Sequence, residues 1–244
     1  MTQSTASSMD VLDIGWDVEA VLVERPNRFL AIVNIPSEGL KEVPVHVHDP
    51  GRLEDIIYPG NHLLLKRASN PKRKTGWDVI AGLIGEKWVL INSAYHRKVA
   101  EWIFSQPEIS PLGKIDSLAA EKKLGESRID FLAGKNGENW WIETKGCTLA
   151  VNDMALFPDA PTIRGKRHLE ELGKAIDNGD RSAVFILIFR EEADCFSPNE
   201  QIDPAFYNTF YEVVEKGVEV YPFVFGFDNG FIRYKKKIPV LKQQ

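Results

Sequence analysis

Seven consecutive apolar residues, Ala183 to Phe189, constrain this chain more than any other feature. The run has the length of a strand and falls far short of the roughly 20 apolar residues that a membrane helix needs. A strand with one face in water alternates apolar and polar side chains, so a run without alternation reads as a strand covered on both faces. Such a strand demands a layered α/β unit with helices packed on the sheet. The chain has the means: 244 residues, 43% hydrophobic and 27% charged, are ordinary globular values and allow one large domain or two small ones. Thirty Lys and Arg against 35 Asp and Glu give a net charge of −5, which excludes a globally basic coat for nucleic acid. Any polyanion must then be met by a local patch. Cys147 and Cys195 are too few for a disulfide framework and lack the clustered spacing of a zinc site, so a reducing, cytoplasmic address is expected. The first ten residues are polar and Ser/Thr-rich, with neither the basic nor the apolar region of a leader, and residues 1–14 read as a disordered tail.

Two patterns divide the remainder. Short apolar runs occupy Glu19–Val23, Phe29–Ile35, Val43–Val47, His62–Lys66, Trp77–Leu83 and Trp88–Ile91, with breaks at turn-forming residues such as Asp49-Pro50-Gly51 and Pro59-Gly60. Strands about ten residues apart suit a small β-barrel. Tyr95–Phe104 then changes to a helical period, and the domain boundary is set near Pro107, giving a barrel with a trailing helix over 15–106 and a second domain over 107–244. In that second part a hairpin is predicted from Arg128–Ala133 and Asn139–Thr144 around Gly134-Lys135-Asn136-Gly137. Helices are predicted over Arg164–Asp177 and Phe206–Lys216, and terminal strands over Val218–Phe227 and Phe231–Lys235.

The chemistry concentrates on the hairpin. Asp130 lies on its first strand, and Glu143-Thr144-Lys145 on its second. Strand alternation puts Glu143 and Lys145 on one face, with the Thr144 carbonyl close by. Such residues form either a solvated cross-strand ion pair or, if Asp130 joins them, a set of hard oxygen ligands for Mg2+ or Mn2+ beside an ammonium. The apolar neighbours Ile129, Phe131, Trp141 and Ile142 favour the second, because buried charges need partners. A cation so held activates water and polarises a phosphoryl oxygen, with Lys145 serving the nucleophile.

Asp130 with Glu143-Thr144-Lys145 resembles the PD-(D/E)xK nuclease core, although Ile129 stands where that motif has its leading Pro. A broader resemblance runs from about Val18 to Val240. Arg28-Phe29-Leu30-Ala31, Pro50-Gly51-Arg52-Leu53, Ser127-Arg128-Ile129-Asp130-Phe131, Phe157-Pro158-Asp159-Ala160, Arg164-Gly165 and His168-Leu169 are similar to the sugar fermentation stimulation protein family. The resemblance implies an N-terminal OB-like barrel, a C-terminal nuclease-like mixed-sheet domain, and DNA binding. Many such nucleases add a Glu from a preceding helix; Glu101 and Glu121 are the candidates, and Glu121 is preferred.

Other residues are assigned to nucleic acid. Arg164 and His168, four apart on one helix face, suit a phosphate contact, and His168 also suits proton transfer. Lys66, Arg67, Lys72, Arg73 and Lys74 place five cations and no anion in nine positions, with Trp77 beyond them as a base-stacking platform. His46 and His48 share a strand face, but two imidazoles without a third ligand read as an ordinary half-exposed surface. Cys147 is expected to be buried. Asp159 either caps the loop before the helix that starts near Arg164 or approaches the metal, and capping is preferred.

The reading is therefore a cytoplasmic DNA-binding protein with a Mg2+- or Mn2+-dependent phosphodiesterase site. The alternatives are a non-enzymatic DNA-binding regulator that keeps a nuclease-like fold, and a hydrolase of small phosphorylated molecules. The expected partner is nucleic acid, DNA before RNA, with no membrane; a homodimer is compatible with the sequence.

Overall fold

The computed structural model describes residues 9–70 and 72–243, and the chain divides into two compact units. The first runs to Tyr95 and includes residues 189–191 and 225–236; the second holds His96–Ile188, Glu192–Val224 and the residues from Lys237 onward.

The first unit opens with β1 (Met9–Asp13), followed by β2 (Val18–Asn27), β3 (Leu30–Ile35), β4 (Leu40–His46), β5 (His62–Arg67), β6 (Trp77–Ile84) and β7 (Lys87–Leu90). Strands β4, β3, β2, β5, β6 and β7 pair in that order, and β4 also meets β6 at His46↔Asp78, which closes the barrel. All six expected strands are present. Alternation explains their stability: Ala31, Val33 and Ile35 on β3 are fully buried between half-exposed neighbours. The expected tail needs correction, because Met9–Asp13 is a strand; residues 1–8 lie outside the described residues. This strand pairs with the C-terminal strand through Met9↔Tyr234 and Asp10↔Arg233, and Arg233 Nε donates to Asp10 at 2.9 Å.

The second unit contains α1 (His96–Ser105), β8 (Ser117–Leu124), β9 (Ser127–Lys135), β10 (Glu138–Cys147), β11 (Leu149–Val151), β12 (Met154–Phe157), α2 (Ile163–Asp177), β13 (Arg181–Ile188), β14 (Cys195–Pro198) and α3 (Pro204–Glu215). It also contains the first half of β15 (Glu219–Asp228), whose second half and β16 (Phe231–Lys237, through Lys236) belong to the first unit. Here β8, β9 and β10 are antiparallel, whereas β10, β13 and β15 are parallel.

The buried run fills the role expected of it. On β13, Val184, Ile186 and Ile188 pack with Leu169 and Leu172 of α2 and Phe206 and Phe210 of α3. Phe185 points the other way, against Phe104 of α1 and Phe223 of β15. That contact corrects the boundary at Pro107: α1 buries Val99, Ile103 and Phe104 in the second unit rather than trailing the barrel. The helix starts are also set by local chemistry. Thr162 caps α2, accepting from the Gly165 amide at 3.0 Å. Asp203 caps α3 through Phe206 N at 2.9 Å and accepts from Thr162 N at 2.8 Å, fixing both helix starts with one carboxylate. A small sheet of β11, β12 and β14 was not expected from the sequence. Among the described residues no helix is long and apolar enough to cross a membrane.

Candidate functional site

The hairpin turn determines which residues meet at its far end. Asn136 and Gly137 both have positive φ, 51° and 81°, the backbone of a type I′ turn whose twist matches paired strands. Lys135 and Glu138 then face each other, and the ladder runs from there to Phe131↔Ile142. One step further the next opposed residues are Asp130 and Glu143. Here the side chains replace the ladder: Asp130 Oδ2 accepts from Thr144 N at 2.8 Å and Thr144 Oγ1 at 2.5 Å, and Glu143 Oε2 lies 3.4 Å from the Asp130 amide.

Glu143 is almost fully enclosed, with 2% exposure. Lys145 Nζ donates to its Oε1 at 2.5 Å, and His168 Nδ1 from α2 contacts the same oxygen. Burial by itself would raise the Glu143 pKa; the Lys145 charge and the His168 hydrogen bond outweigh it and hold the carboxyl below its ordinary value. Asp130 is pushed the other way, upward, first by burial and then by the Glu143 charge, against the hydrogen bonds from Thr144 and the charge of Lys145. Two carboxylates in one poorly solvated place thus repel, and a cation between them would relieve both costs.

The donor set fits a hard divalent cation. Asp130 uses Oδ2 for Thr144 and Glu143 uses Oε1 for Lys145 and His168, so each carboxylate keeps an oxygen with lone pairs to offer. Among the described residues no group of three or more His, Cys, Asp and Glu side chains forms a metal cage. Two carboxylates with the other positions left to backbone oxygen, water or substrate is a normal arrangement for Mg2+.

The sequence candidates separate clearly. Asp130, Glu143, Thr144 and Lys145 converge, although Thr144 meets Asp130 through its amide and hydroxyl, a contact that reasoning from its carbonyl did not anticipate. His168 belongs to this cluster too, but at 2% exposure it cannot touch a phosphate directly, which corrects its assignment to a nucleic-acid surface. Arg164 is exposed, and its Nε lies 3.3 Å from His168 Nε2. Glu121 requires correction: it is on β8 at φ 54° and its carboxylate turns to Arg128 at 3.2 Å and Arg97 at 3.7 Å, outside the cluster. Glu101 pairs with Arg97 at 2.9 Å. His96 carries no motif that would single it out, yet its buried ring lies so close to Gly146 that a Cβ there would stand 2.1 Å from its Cε1. Burial lowers the His96 pKa to about 4. Cys147 is buried, as expected.

The basic segment of the first unit is largely occupied with its own structure. Lys66 Nζ donates to the Ile14 carbonyl, Arg67 pairs with Glu38, and Arg73 grips Asp78 with two bonds of 2.6 and 2.9 Å. Trp77 has 4% exposure and carries the Arg67 guanidinium 4.2 Å above its ring, so it is a core residue and not a stacking platform. Lys72 and Lys74 remain exposed. His48 lies 3.1 Å from Asp78 with the His46 ring edge-on to it.

Fold and site together define a class: a barrel unit and a mixed α/β unit whose hairpin end carries a buried cluster of two carboxylates, a lysine and a histidine. Residues 94–230 match the family model described as the sugar fermentation stimulation protein RE domain, and residues 23–91 match the SfsA N-terminal OB domain. The sugar fermentation stimulation protein homolog of Methanococcoides burtonii is 48% identical over 237 residues, 96% of each chain. That of Thermotoga neapolitana is 40% identical over 233 residues, 95% of this chain and 99% of the relative. Among solved structures, Pyrococcus furiosus SfsA in complex with Ca2+ superimposes with a TM-score of 0.86 at 25% identity, covering 96% of this chain and all of that one. The chain belongs to the sugar fermentation stimulation protein family, and its first unit is an OB-type barrel.

Proposed function

We propose that this chain is a DNA-binding protein whose second unit hydrolyses phosphodiester bonds with the help of Mg2+ or Mn2+. The observation that carries this reading is the meeting of Asp130 and Glu143 at the end of the hairpin ladder, with Lys145 2.5 Å from Glu143. Support comes from the relative of the same fold that is described as a complex with Ca2+, another hard cation served by oxygen ligands. Asp130 and Glu143 would hold the cation. When bound, it supplies a Lewis acid for the phosphoryl oxygen and a water of lowered pKa. Lys145 keeps Glu143 ionised and offers an ammonium to orient the attacking water and offset charge on the reacting phosphate. Exposed Arg164 is suited to a flanking phosphate oxygen, and Lys72 and Lys74 to the backbone of DNA on the barrel unit.

End-labelled single- and double-stranded DNA, incubated with the protein in Mg2+, Mn2+ or excess chelator, tests this reading. Cleavage is expected only with metal; Asp130→Ala should abolish it and Lys145→Ala should reduce it by on the order of 10²- to 10³-fold, while DNA binding persists. Equal cleavage by parent and variants would remove the site from the reaction. Metal-independent binding with no cleavage would leave a DNA-binding protein that keeps the fold without the chemistry.

A further inference from the structure

We infer that His168 is a positioning residue that aims Glu143 Oε2 at the cation, and that Arg164 sets its tautomer. The inference rests on the reading of Glu143 as a metal ligand. Its basis is donor and acceptor arithmetic along one chain of contacts. A guanidinium can only donate, so the 3.3 Å contact from Arg164 Nε requires a bare Nε2 on His168. The proton of the neutral ring must then sit on Nδ1, where it donates to Glu143 Oε1. The opposite tautomer would set Nε2–H against the Arg164 N–H and a bare Nδ1 against a carboxylate oxygen, two mismatches at once. Lys145 Nζ, 3.5 Å from Nδ1, is a second donor to the same Oε1 and not a partner of the ring.

The consequence is an asymmetric carboxylate. Oε1 is held by two donors, one from the strand and one from the helix, which fixes the rotation of the carboxylate and leaves Oε2 on the Asp130 side. His168 is buried on the first turns of α2, so it is suited to orienting a ligand and unsuited to contacting substrate.

Calorimetric titration of MnCl2 into the full chain tests the inference, with His168→Asn and His168→Leu as variants and thermal melting as the check of folding. Asn can place an amide N–H where Nδ1–H lies, so it should bind Mn2+ within about threefold of the parent, whereas Leu should bind on the order of 10- to 100-fold more weakly. Equal affinity for parent and Leu variant, or equal losses for Asn and Leu, would overturn the positioning role. Nitrogen NMR of the His168 ring in the parent gives a readout independent of the variants: a neutral Nδ1–H tautomer is expected, and an Nε2–H tautomer would overturn the inference even if the Leu variant fails to fold. A parent that binds no Mn2+ would instead defeat the underlying assignment of Glu143.

Discussion

In the basic segment of the barrel unit, Lys66, Arg67 and Arg73 are each met by an oxygen of the same unit, so a run that looks like a polyanion surface is mainly internal fastening. At the end of the hairpin in the other unit the balance is reversed. Two carboxylates are brought together under cover, with Glu143 below and Asp130 above its ordinary pKa, and the ammonium and imidazole beside them form their hydrogen bonds with Glu143 alone. The comparison teaches that charge density along a chain measures little about a site. What marks a site is charge that remains imperfectly balanced after burial.

The strongest way to break the contrast is to delete a charge from each region. Lys145→Ala should reduce metal-dependent cleavage by on the order of 10²- to 10³-fold, the scale of removing one preorganised group from a reacting centre. Arg67→Ala should leave cleavage chemistry unchanged, as single-turnover rates at saturating protein would show. Glu143→Leu should lower unfolding stability by about 3 to 5 kcal/mol in urea, because Lys145 loses its buried ion-pair partner and His168 loses its hydrogen-bond acceptor. The exposed pair Lys216 and Asp177, 3.0 Å apart, should yield at most about 1 kcal/mol to the same treatment.

His96 sharpens the comparison by pH. Its folded pKa of about 4 lies below the ordinary 6.5, so the unfolded chain takes up a proton first as the solution is acidified. Stability should therefore fall between about pH 6.5 and pH 4, by about 3 kcal/mol in total, and remain at the reduced level below that window. In His96→Phe this part of the acid dependence, read from urea midpoints across pH, should be missing. The smallest effect belongs to the exposed lysines. Lys72→Ala and Lys74→Ala should each reduce the salt slope of DNA binding by about 1, measured by fluorescence anisotropy.

The features legible in the sequence were those with a period or a turn signature. The hairpin announced itself through Asn136-Gly137, the central strand through its unbroken apolar run, and the convergence of Asp130, Glu143 and Lys145 through strand spacing. Strands β11, β12 and β14 were illegible because three or four residues are too few to show alternation. Met9–Asp13 escaped because five residues without strict alternation gain their place from pairing with Phe231–Tyr234, which lies over 200 residues away. Helical spacing put His168 with Arg164 but could not tell which side of that helix is covered. Glu121 misled for a related reason: its position before Asp130 is correct, but a positive-φ residue on β8 carries its carboxylate to Arg128.

Calorimetric titration of Mn2+ into the parent chain, Asp130→Asn and Glu143→Gln is the most direct test of the central claim. One cation per chain in the parent, with heat of binding lost in both variants, is the result expected if these two carboxylates share a ligand. Undiminished binding in either variant, or none in the parent, would contradict it.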